Sequence, residues 1–313
     1  MGVRVGVGPG LGVPLAARDY WRWIDLCEDA GIDSIWHSDQ LLGQTHEPVS
    51  MLVALAARTK RLKFGTNALV AAFRDPILLA KQLATADWLS EGRVFPVLGI
   101  GNASDPFWAA TGTSPAVRAR KSDEAIALLR LLLEQEQIEF SGAHFTYRGP
   151  GVFPRPERTI PLWIGGHSPA AYRRTARLGD GWLGGLIGPE AAGNARRAIE
   201  AALVETGRTI DSDHYGASLP VRIGPANDAG VLAARQRLLA RMPEEVRASL
   251  ADSFAIGPAE MVIAALRRYV AQGIEKFVVL PMAGDFADLM EQTELLAREI
   301  MPNVEGSHLA SCP

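Results

Sequence analysis

Cysteine is nearly absent from this sequence, because only Cys27 and Cys312 occur in 313 residues. Two cysteines so far apart provide neither a disulfide framework nor the closely spaced ligands of a zinc site. We therefore expect no metal centre. The scarcity of cysteine also predicts a reducing, cytoplasmic setting.

Long apolar runs and a strong excess of one charge are absent as well. No stretch approaches the roughly 20 apolar residues of a membrane helix, and the first residues lack the apolar core of a signal peptide. The net charge of −3 argues against a nucleic-acid partner. Hydrophobic residues make up 48% of the chain, which is enough for a large core. We expect a protein that acts on small molecules, with neither nucleic acid nor a membrane as partner.

What the sequence does contain is a regular alternation of short apolar segments with helical segments, several of which open with proline. The predicted strands are Arg4–Val7, Ser34–Trp36, Lys63–Ala68, Val94–Gly99, Leu162–Ile164, Gly181–Leu183, Tyr215–Ile223 and Lys276–Leu280. The predicted helices are Leu15–Ala30, Pro48–Arg58, Pro76–Leu89, Pro115–Glu136, Pro169–Leu178, Pro189–Thr206, Pro258–Gln272 and Phe286–Glu299.

Strands this short and this apolar, each followed by a helix, are typical of a parallel sheet covered on both faces. Eight such units predict an α/β fold of the (β/α)8 TIM barrel type, forming a single domain over residues 1–313. Residues 137–161, before the fifth strand, and 225–256, after the seventh, are predicted insertions. The alternative is an open doubly wound sheet, although no G-x-G-x-x-G sequence follows the first strand.

The segment Pro161-Leu-Trp-Ile-Gly-Gly-His-Ser-Pro169 is the most informative part of the chain. An apolar strand ends at Gly165 and Gly166, and a helix opened by Ser168-Pro169 follows. Paired glycines let the backbone approach a ligand closely, and the free N–H groups of a helix N-terminus attract an anion. The segment therefore predicts a phosphate-binding turn, with an ordinary strand-to-helix turn as the alternative.

Several further segments, in this order and spacing, resemble one known family. They are Asp33-Ser-Ile-Trp-His-Ser-Asp39, Arg74-Asp-Pro-Ile-Leu-Leu-Ala-Lys-Gln-Leu-Ala-Thr85, Leu89-Ser-Glu-Gly-Arg-Val94, Leu98-Gly-Ile-Gly101, Arg120-Lys-Ser-Asp-Glu-Ala125, Arg177-Leu-Gly-Asp-Gly-Trp182 and Gln292-Thr-Glu-Leu-Leu-Ala297. Together with the Gly165-Gly166 segment, they resemble the bacterial luciferase-like monooxygenases. That family comprises FMN-dependent oxygenases and coenzyme F420-dependent oxidoreductases, and the likeness is greatest to the F420-dependent type.

The resemblance implies a cofactor site at the carboxyl ends of the strands. It implies a bulge with a non-prolyl cis peptide bond at Asn67–Ala68, where a plain β-bulge is the alternative. The implied cofactor-binding residues are Asp39, Asn67, Ala68, Asn102, Gly165, Gly166, His167 and Gly185. The catalytic candidates are Asp39, which the resemblance implies, Gln40 next to it, and His37 as a substitute. For His37 the alternative is a packed or solvated histidine. Gln40 departs from the histidine of many F420-dependent relatives, and glutamine does not exchange protons near neutral pH.

Aromatic residues near these strand ends suggest where a substrate lies. Trp108 and Phe107 are predicted to wall the substrate space, although tryptophan is more often packed in a core. Arg74 and Arg118 are candidates for anionic groups of cofactor or substrate, and a surface salt bridge is the alternative for each.

The resemblance implies an enzyme that transfers hydride between F420 and a small organic substrate. One alternative is an FMN-dependent monooxygenase, which inserts one oxygen atom from O2, and a second is a non-catalytic flavin-binding protein. A phosphosugar-processing barrel without a redox cofactor would also use the glycine turn. Relatives commonly form homodimers through helices near the second and third strands, so a homodimer is expected.

Overall fold

The computed structural model describes residues 2–10, 13–240, 244, 247 and 251–305. The chain divides into two compact units. The first unit comprises Met1–Trp36, Leu183–Glu205 and Ile210–Pro313, and the second comprises His37–Trp182 and Thr206–Thr209. The assignment of residues 1–313 to one domain stays a prediction. Cys27 is buried and is not part of a disulfide bond, and Cys312 lies outside the described residues.

Strands and helices alternate through the described residues as the sequence predicts. The strands are β1 Arg4–Val7, β2 Ser34–His37, β3 Lys63–Thr66, β4 Leu69–Val70, β5 Val94–Phe95, β6 Val97–Gly99, β7 Gln137–Ser141, β8 Thr146–Pro150, β9 Trp163–Gly165, β10 Gly181–Gly185, β11 Tyr215–Ile223, β12 Ala255–Gly257 and β13 Lys276–Pro281. The helices are α1 Ala17–Asp29, α2 Pro48–Arg58, α3 Pro76–Leu89, α4 Arg118–Glu134, α5 Pro169–Leu178, α6 Pro189–Thr206, α7 Ala229–Ala240, α8 Ala259–Ala271, α9 Phe286–Leu295 and α10 Met301–Val304.

The first unit is built around β11, whose nine residues are all buried. β11 pairs in parallel with both β12 and β13, β13 pairs with β1, and β1 pairs with β2. Gly6 on β1 is required by close packing, because a Cβ atom there would lie 2.2 Å from the Ser34 hydroxyl oxygen. The continuous burial of β11 agrees with a parallel strand covered on both faces.

The second unit contains two sets of parallel strands and one hairpin. β3 pairs with β5, and β6 pairs with both β4 and β9. The antiparallel hairpin β7–β8 lies in the predicted insertion 137–161. Its turn is tied to α4, because the Glu124 carboxylate accepts hydrogen bonds from the backbone N–H groups of Ala143, His144 and Phe145.

Two predicted strands are interrupted, which the sequence analysis missed. The segment Lys63–Ala68 breaks after Thr66, and Val94–Gly99 breaks at Pro96. Pro96 has no N–H to donate, and the Thr66 hydroxyl bridges the gap by donating to Val97 O (2.8 Å) and accepting from Val97 N (3.0 Å). Side-chain hydrogen bonds thus replace strand pairing where β3 gives way to β4.

The helix boundaries are largely confirmed. α1 is Ala17–Asp29, inside the predicted Leu15–Ala30, and α4 ends at Glu134 instead of Glu136. Pro115–Val117 forms a separate 3₁₀ turn before α4, Pro258 precedes α8, and α9 continues as a π-helical turn over Leu296–Ile300. The insertion 225–256 contains α7 and the start of β12, a three-residue strand too short to recognise from its sequence, and part of this insertion lies outside the described residues. Within the described residues, no helix is both long enough and apolar enough to cross a membrane.

Candidate functional site

The break between β3 and β4 is the centre of the candidate site. The Asn67–Ala68 peptide bond is cis, which confirms the prediction and excludes the plain β-bulge. Asn67 N donates to His37 O at 2.8 Å, and Val70 N donates to Asp39 Oδ2 at 2.9 Å. The carboxyl end of β2 therefore holds the bulge on both sides of the cis bond.

The Asp39 carboxylate is fixed by a buried ion pair. Its side chain is 1% exposed, and its two oxygens accept from Arg74 Nη1 at 2.5 Å and from Arg74 Nη2 at 3.1 Å. Arg74 Nη2 also donates to Glu47 Oε1 at 2.9 Å, which ties the loop before α2 to the same guanidinium. With both oxygens engaged, Asp39 has the geometry of a positioning residue.

The pKa values of Arg74 and Glu47 are both shifted by their partners. Burial lowers the pKa of Arg74, but the hydrogen bonds and charges of Asp39 and Glu47 outweigh burial and raise it. Burial likewise raises the pKa of Glu47, but hydrogen bonds from Ser50, Arg74 and Val49 lower it overall. Both shifts favour the charged forms of Arg74 and Glu47 at neutral pH.

A ledge of small residues lies beside the cis bond, formed by Ala68 in the break before β4, Gly99 at the end of β6 and Gly165 at the end of β9. A Cβ atom added to Gly99 would lie 3.4 Å from the Ala68 Cβ, and one added to Gly165 would lie 3.2 Å from the same atom. β4, β6 and β9 are hydrogen-bonded neighbours, so these positions form one continuous surface. With no side chain larger than a methyl group at these three positions, a flat ligand can lie close to the backbone there.

The predicted anion turn follows this ledge directly. Gly166 has φ +123°, and a Cβ atom there would lie 3.1 Å from the Ala171 Cβ, so both conformation and packing require glycine. The Ser168 hydroxyl caps α5 by accepting from Ala171 N at 3.2 Å, while His167 and Ser168 are exposed. Pro169 has no N–H group, and Ala170 N has no partner within the helix, so it is available to an anion.

Trp182 supports the anion turn, although in the sequence it stood out only as part of a family segment. Its indole Nε1 donates to Gly166 O at 2.7 Å, and its ring is fully buried. Tyr172 packs against it edge to face, with ring centroids 6.3 Å apart. The Asp-Gly-Trp sequence that ends at Trp182 is the signal from which this role could have been predicted.

Asn102, Phe107 and Trp108 lie in or next to the loop after β6. Asn102 O accepts from Trp108 Nε1 at 2.7 Å, and the Asn102 side chain accepts from Ser104. Trp108 is buried with Val70 and Ala72, and its ring centroid lies 4.4 Å from that of Phe73. Trp108 therefore packs against the segment that follows the bulge, and Phe107 beside it is half-buried. Their contact with substrate stays a prediction.

His37, Gln40 and Gly185 differ sharply in their surroundings. Burial, with the nearby charge of His46, lowers the pKa of His37 to about 4, so its imidazole is neutral at neutral pH. Gln40 is exposed on the loop after β2. Gly185 ends β10 in the first unit, where a Cβ atom would meet nothing within 4 Å.

The absence of a metal centre stays a prediction, because ligand atoms of Asp211, Asp213 and His214 lie within 4.8 Å of one another.

Two of the family segments contain arginine and aspartate networks with a structural role. Arg93 donates to Thr59 Oγ1 and to four carbonyl oxygens, those of Ser90, Leu62, Ala56 and Thr59. Asp180 accepts from Arg130, Arg208 and the N–H of Leu162. Both groups lie at the amino ends of strands, away from the ledge, so they stabilise the fold.

Comparisons with known proteins agree with this geometry. The chain is 31% identical over 175 residues to the F420-dependent glucose-6-phosphate dehydrogenase of Amycolatopsis mediterranei (strain U-32), an alignment that covers 53% of each protein. The chain thus spans about half the length of that relative. It is 27% identical to the enzyme of the same name from Microbacterium testaceum (strain StLB037), over 88% of this chain and 82% of the relative.

A solved structure extends the comparison to the fold. An F420-dependent secondary alcohol dehydrogenase in complex with an F420-acetone adduct superposes with a TM-score of 0.81 at 22% identity, over 97% of this chain and 99% of that one. This likeness confirms the predicted α/β class and the (β/α)8 barrel fold. The family model described as luciferase-like monooxygenase matches residues 3–276. The chain therefore belongs to the luciferase-like monooxygenase family.

Proposed function

We propose that this chain is an F420-dependent oxidoreductase that moves a hydride between the deazaflavin and a small organic substrate. The observation that supports this most directly is the backbone ledge at Ala68, Gly99 and Gly165, which leads into the anion turn at Gly166. A flat ring with a phosphorylated side chain has the shape and charge that this arrangement accepts. The F420-dependent relatives named above favour the deazaflavin.

In this proposal the protein binds and orients. The ledge supports the ring, and the backbone N–H groups of Gly166, His167 and Ala170 hold the phosphate, with Asn102 as a further contact. The contact of Gly185 with the cofactor stays a prediction. Asp39 fixes the bulge through Val70 N. The bound deazaflavin supplies the hydride-carrying carbon, and the protein aligns it with the substrate and excludes water.

The three residues proposed for proton chemistry differ in their surroundings. His37 is neutral near pH 7, so in this role it offers a hydrogen bond without a charge. Gln40 offers the same kind of contact from the exposed loop. Asp39 is held by Arg74, so we assign it to positioning the bulge.

The second candidate function is an FMN-dependent monooxygenase. The matched family model is named for monooxygenases, and the ledge and the anion turn serve a phosphorylated flavin as well as a deazaflavin. Both functions require a reversibly bound redox cofactor. They differ in whether the second reactant is an organic hydride donor or acceptor, or O2.

The test is a melting experiment with F420, FMN and riboflavin side by side. A ligand at about 100 times its dissociation constant stabilises the folded state by about 2.7 kcal/mol. We expect F420 to raise the melting temperature most, and riboflavin, which lacks the phosphate, to raise it least. No shift with either F420 or FMN would contradict the proposal. Binding without turnover across a substrate panel would leave the non-catalytic flavin-binding protein.

We also propose that the protein acts as a homodimer in the cytoplasm. Four large apolar side chains are exposed on α3, among them Trp88 at 65% and Leu78 at 59%, with Ile77 and Leu89 beside them. An exposed apolar helix face of this kind is typical of a subunit interface. α3 follows the third strand segment, where the family resemblance places the dimer contact.

A further inference from the structure

The start of α4 carries three cations that lack carboxylate partners. Arg118, Arg120 and Lys121 lie within four residues, and among the described residues none of them forms an ion pair. Arg118 Nη1 donates only to Pro115 O at 2.9 Å, and its Nε is buried without a partner. Lys121 Nζ donates to Thr113 Oγ1 at 2.7 Å. The salt bridge that the sequence analysis offered as the alternative for Arg118 is thus not formed within the described residues.

A second buried group at this helix start also lacks a partner. Ser122 is completely buried, and its hydroxyl oxygen has no hydrogen-bond partner in the protein. Buried polar atoms nearly always have partners, so an unpartnered pair needs an explanation. Arg118 and Ser122 are four residues apart, which places both on one face of the first turns of α4.

This face lies at the same end of the second unit as the anion turn. α4 packs on α5 through the ion pair between Asp123 and Arg174 Nε. Both helices follow strands that are parallel neighbours, β6 and β9, so they run in the same direction. Arg118 precedes Asp123 by five residues and Ser168 precedes Arg174 by six, which is about 8 to 9 Å along each helix.

We propose that Arg118, Ser122 and Lys121 form a second anion subsite, beside the turn at Gly166, for a phosphate or carboxylate group of the ligand. It rests on the proposed function insofar as that ligand is the cofactor or its substrate. A guanidinium donates two parallel hydrogen bonds to an oxyanion through Nε and one Nη, which is the donor set that Arg118 leaves free. The Ser122 hydroxyl can donate a further hydrogen bond to the anion. The N-terminus of α4 carries a partial positive charge, which also favours an anion.

The test compares Arg118→Gln with Arg120→Gln by calorimetric titration. Arg120 is exposed in the same turn, so the two variants lose the same charge at neighbouring positions. The probes are F420, FMN, glucose 6-phosphate and inorganic phosphate. We expect Arg118→Gln to weaken at least one probe tenfold or more, and Arg120→Gln to weaken each probe less than twofold. A loss confined to F420 or FMN assigns the anion to the cofactor, and a loss confined to glucose 6-phosphate assigns it to the substrate.

Ser122→Ala separates a binding role from a structural one. Because the hydroxyl has no partner in the protein, its removal should leave the melting temperature unchanged and weaken the affected probe severalfold. Equal losses in Arg118→Gln and Arg120→Gln, or no loss for any probe, would overturn the subsite. Wild-type protein that binds neither F420 nor FMN removes the proposed function. Binding of phosphate or glucose 6-phosphate that depends on Arg118 would still support the subsite, and no binding of any probe would overturn both.

Discussion

The buried imidazole of His37 makes the free energy of unfolding depend on pH in the acidic range. Its pKa is about 4 in the folded protein, against an ordinary value of 6.5, because burial disfavours the charged form. Between these two pH values the unfolded chain binds the proton and the folded chain does not. Stability is therefore retained above pH 6.5 and lost as the pH falls towards 4, by about 3 kcal/mol in all.

Urea denaturation at several pH values measures this effect. We expect His37→Gln to flatten the dependence of the unfolding free energy on pH between 6.5 and 4. His167→Gln is the matched control, because it is the same substitution at an exposed position. An unaltered slope in His37→Gln would show that another group titrates in this window.

Asp39 and Glu47 contact the same guanidinium, but they differ in burial. The side chain of Asp39 is 1% exposed and that of Glu47 is 45% exposed. Removing one partner of a buried pair leaves an uncompensated charge, so we expect Asp39→Asn to lower the unfolding free energy by about 3 kcal/mol. Glu47→Gln should cost less than about 1 kcal/mol, because water screens an exposed pair. Comparable losses in the two variants, measured by denaturant unfolding, would count against a dominant role of Asp39 in holding the bulge.

At the scale of elements, the junction of β9 and α5 decides whether the anion turn forms. Gly166→Ala places a Cβ atom 3.1 Å from Ala171 at φ +123°, so the turn must move. We expect the affinity for F420 or FMN to fall at least tenfold, and stability to fall by about 1 to 3 kcal/mol.

Gly112→Ala provides the control for backbone conformation alone. Gly112 has φ +61°, and a Cβ atom there would meet nothing within 4 Å. We expect a loss of about 1 to 2 kcal/mol in stability and unchanged cofactor affinity, measured by fluorescence titration. If both variants bind the cofactor equally well, the phosphate does not lie against Gly166.

At the scale of the whole molecule, the apolar face of α3 makes the oligomeric state testable. We expect the wild-type protein to sediment as a dimer and Trp88→Glu to sediment as a monomer, because a charge in a desolvated interface is unfavourable. Val204→Glu is the control, since Val204 is 83% exposed on α6, a different helix. A dimer that survives Trp88→Glu would place the interface elsewhere.

Local patterns in the sequence were sufficient for most of the fold and for part of the site. Proline at the first helical position marked the starts of α2, α3 and α5, where Glu47, Asp75 and Ser168 cap the helices. The glycine pair before Ser168 marked the anion turn, because residues without a side chain let a ligand come close to the backbone. β12 was missed because three apolar residues carry too little periodicity to distinguish a strand.

The sequence by itself determined the alternation of parallel strands and helices, the glycine turn and the family, because these depend on residues close together in the chain. Only the tertiary structure decided what each polar side chain does. Asp39 meets Val70 and Arg74 from 31 and 35 residues away, and Trp182 meets Gly166 from 16 residues away. The tertiary structure pairs Arg74 with two carboxylates and leaves Arg118 without a carboxylate partner among the described residues. In the sequence, both arginines were equal candidates for binding an anionic group. Such contacts form only when separate strand ends come together, so no local pattern of residues encodes them.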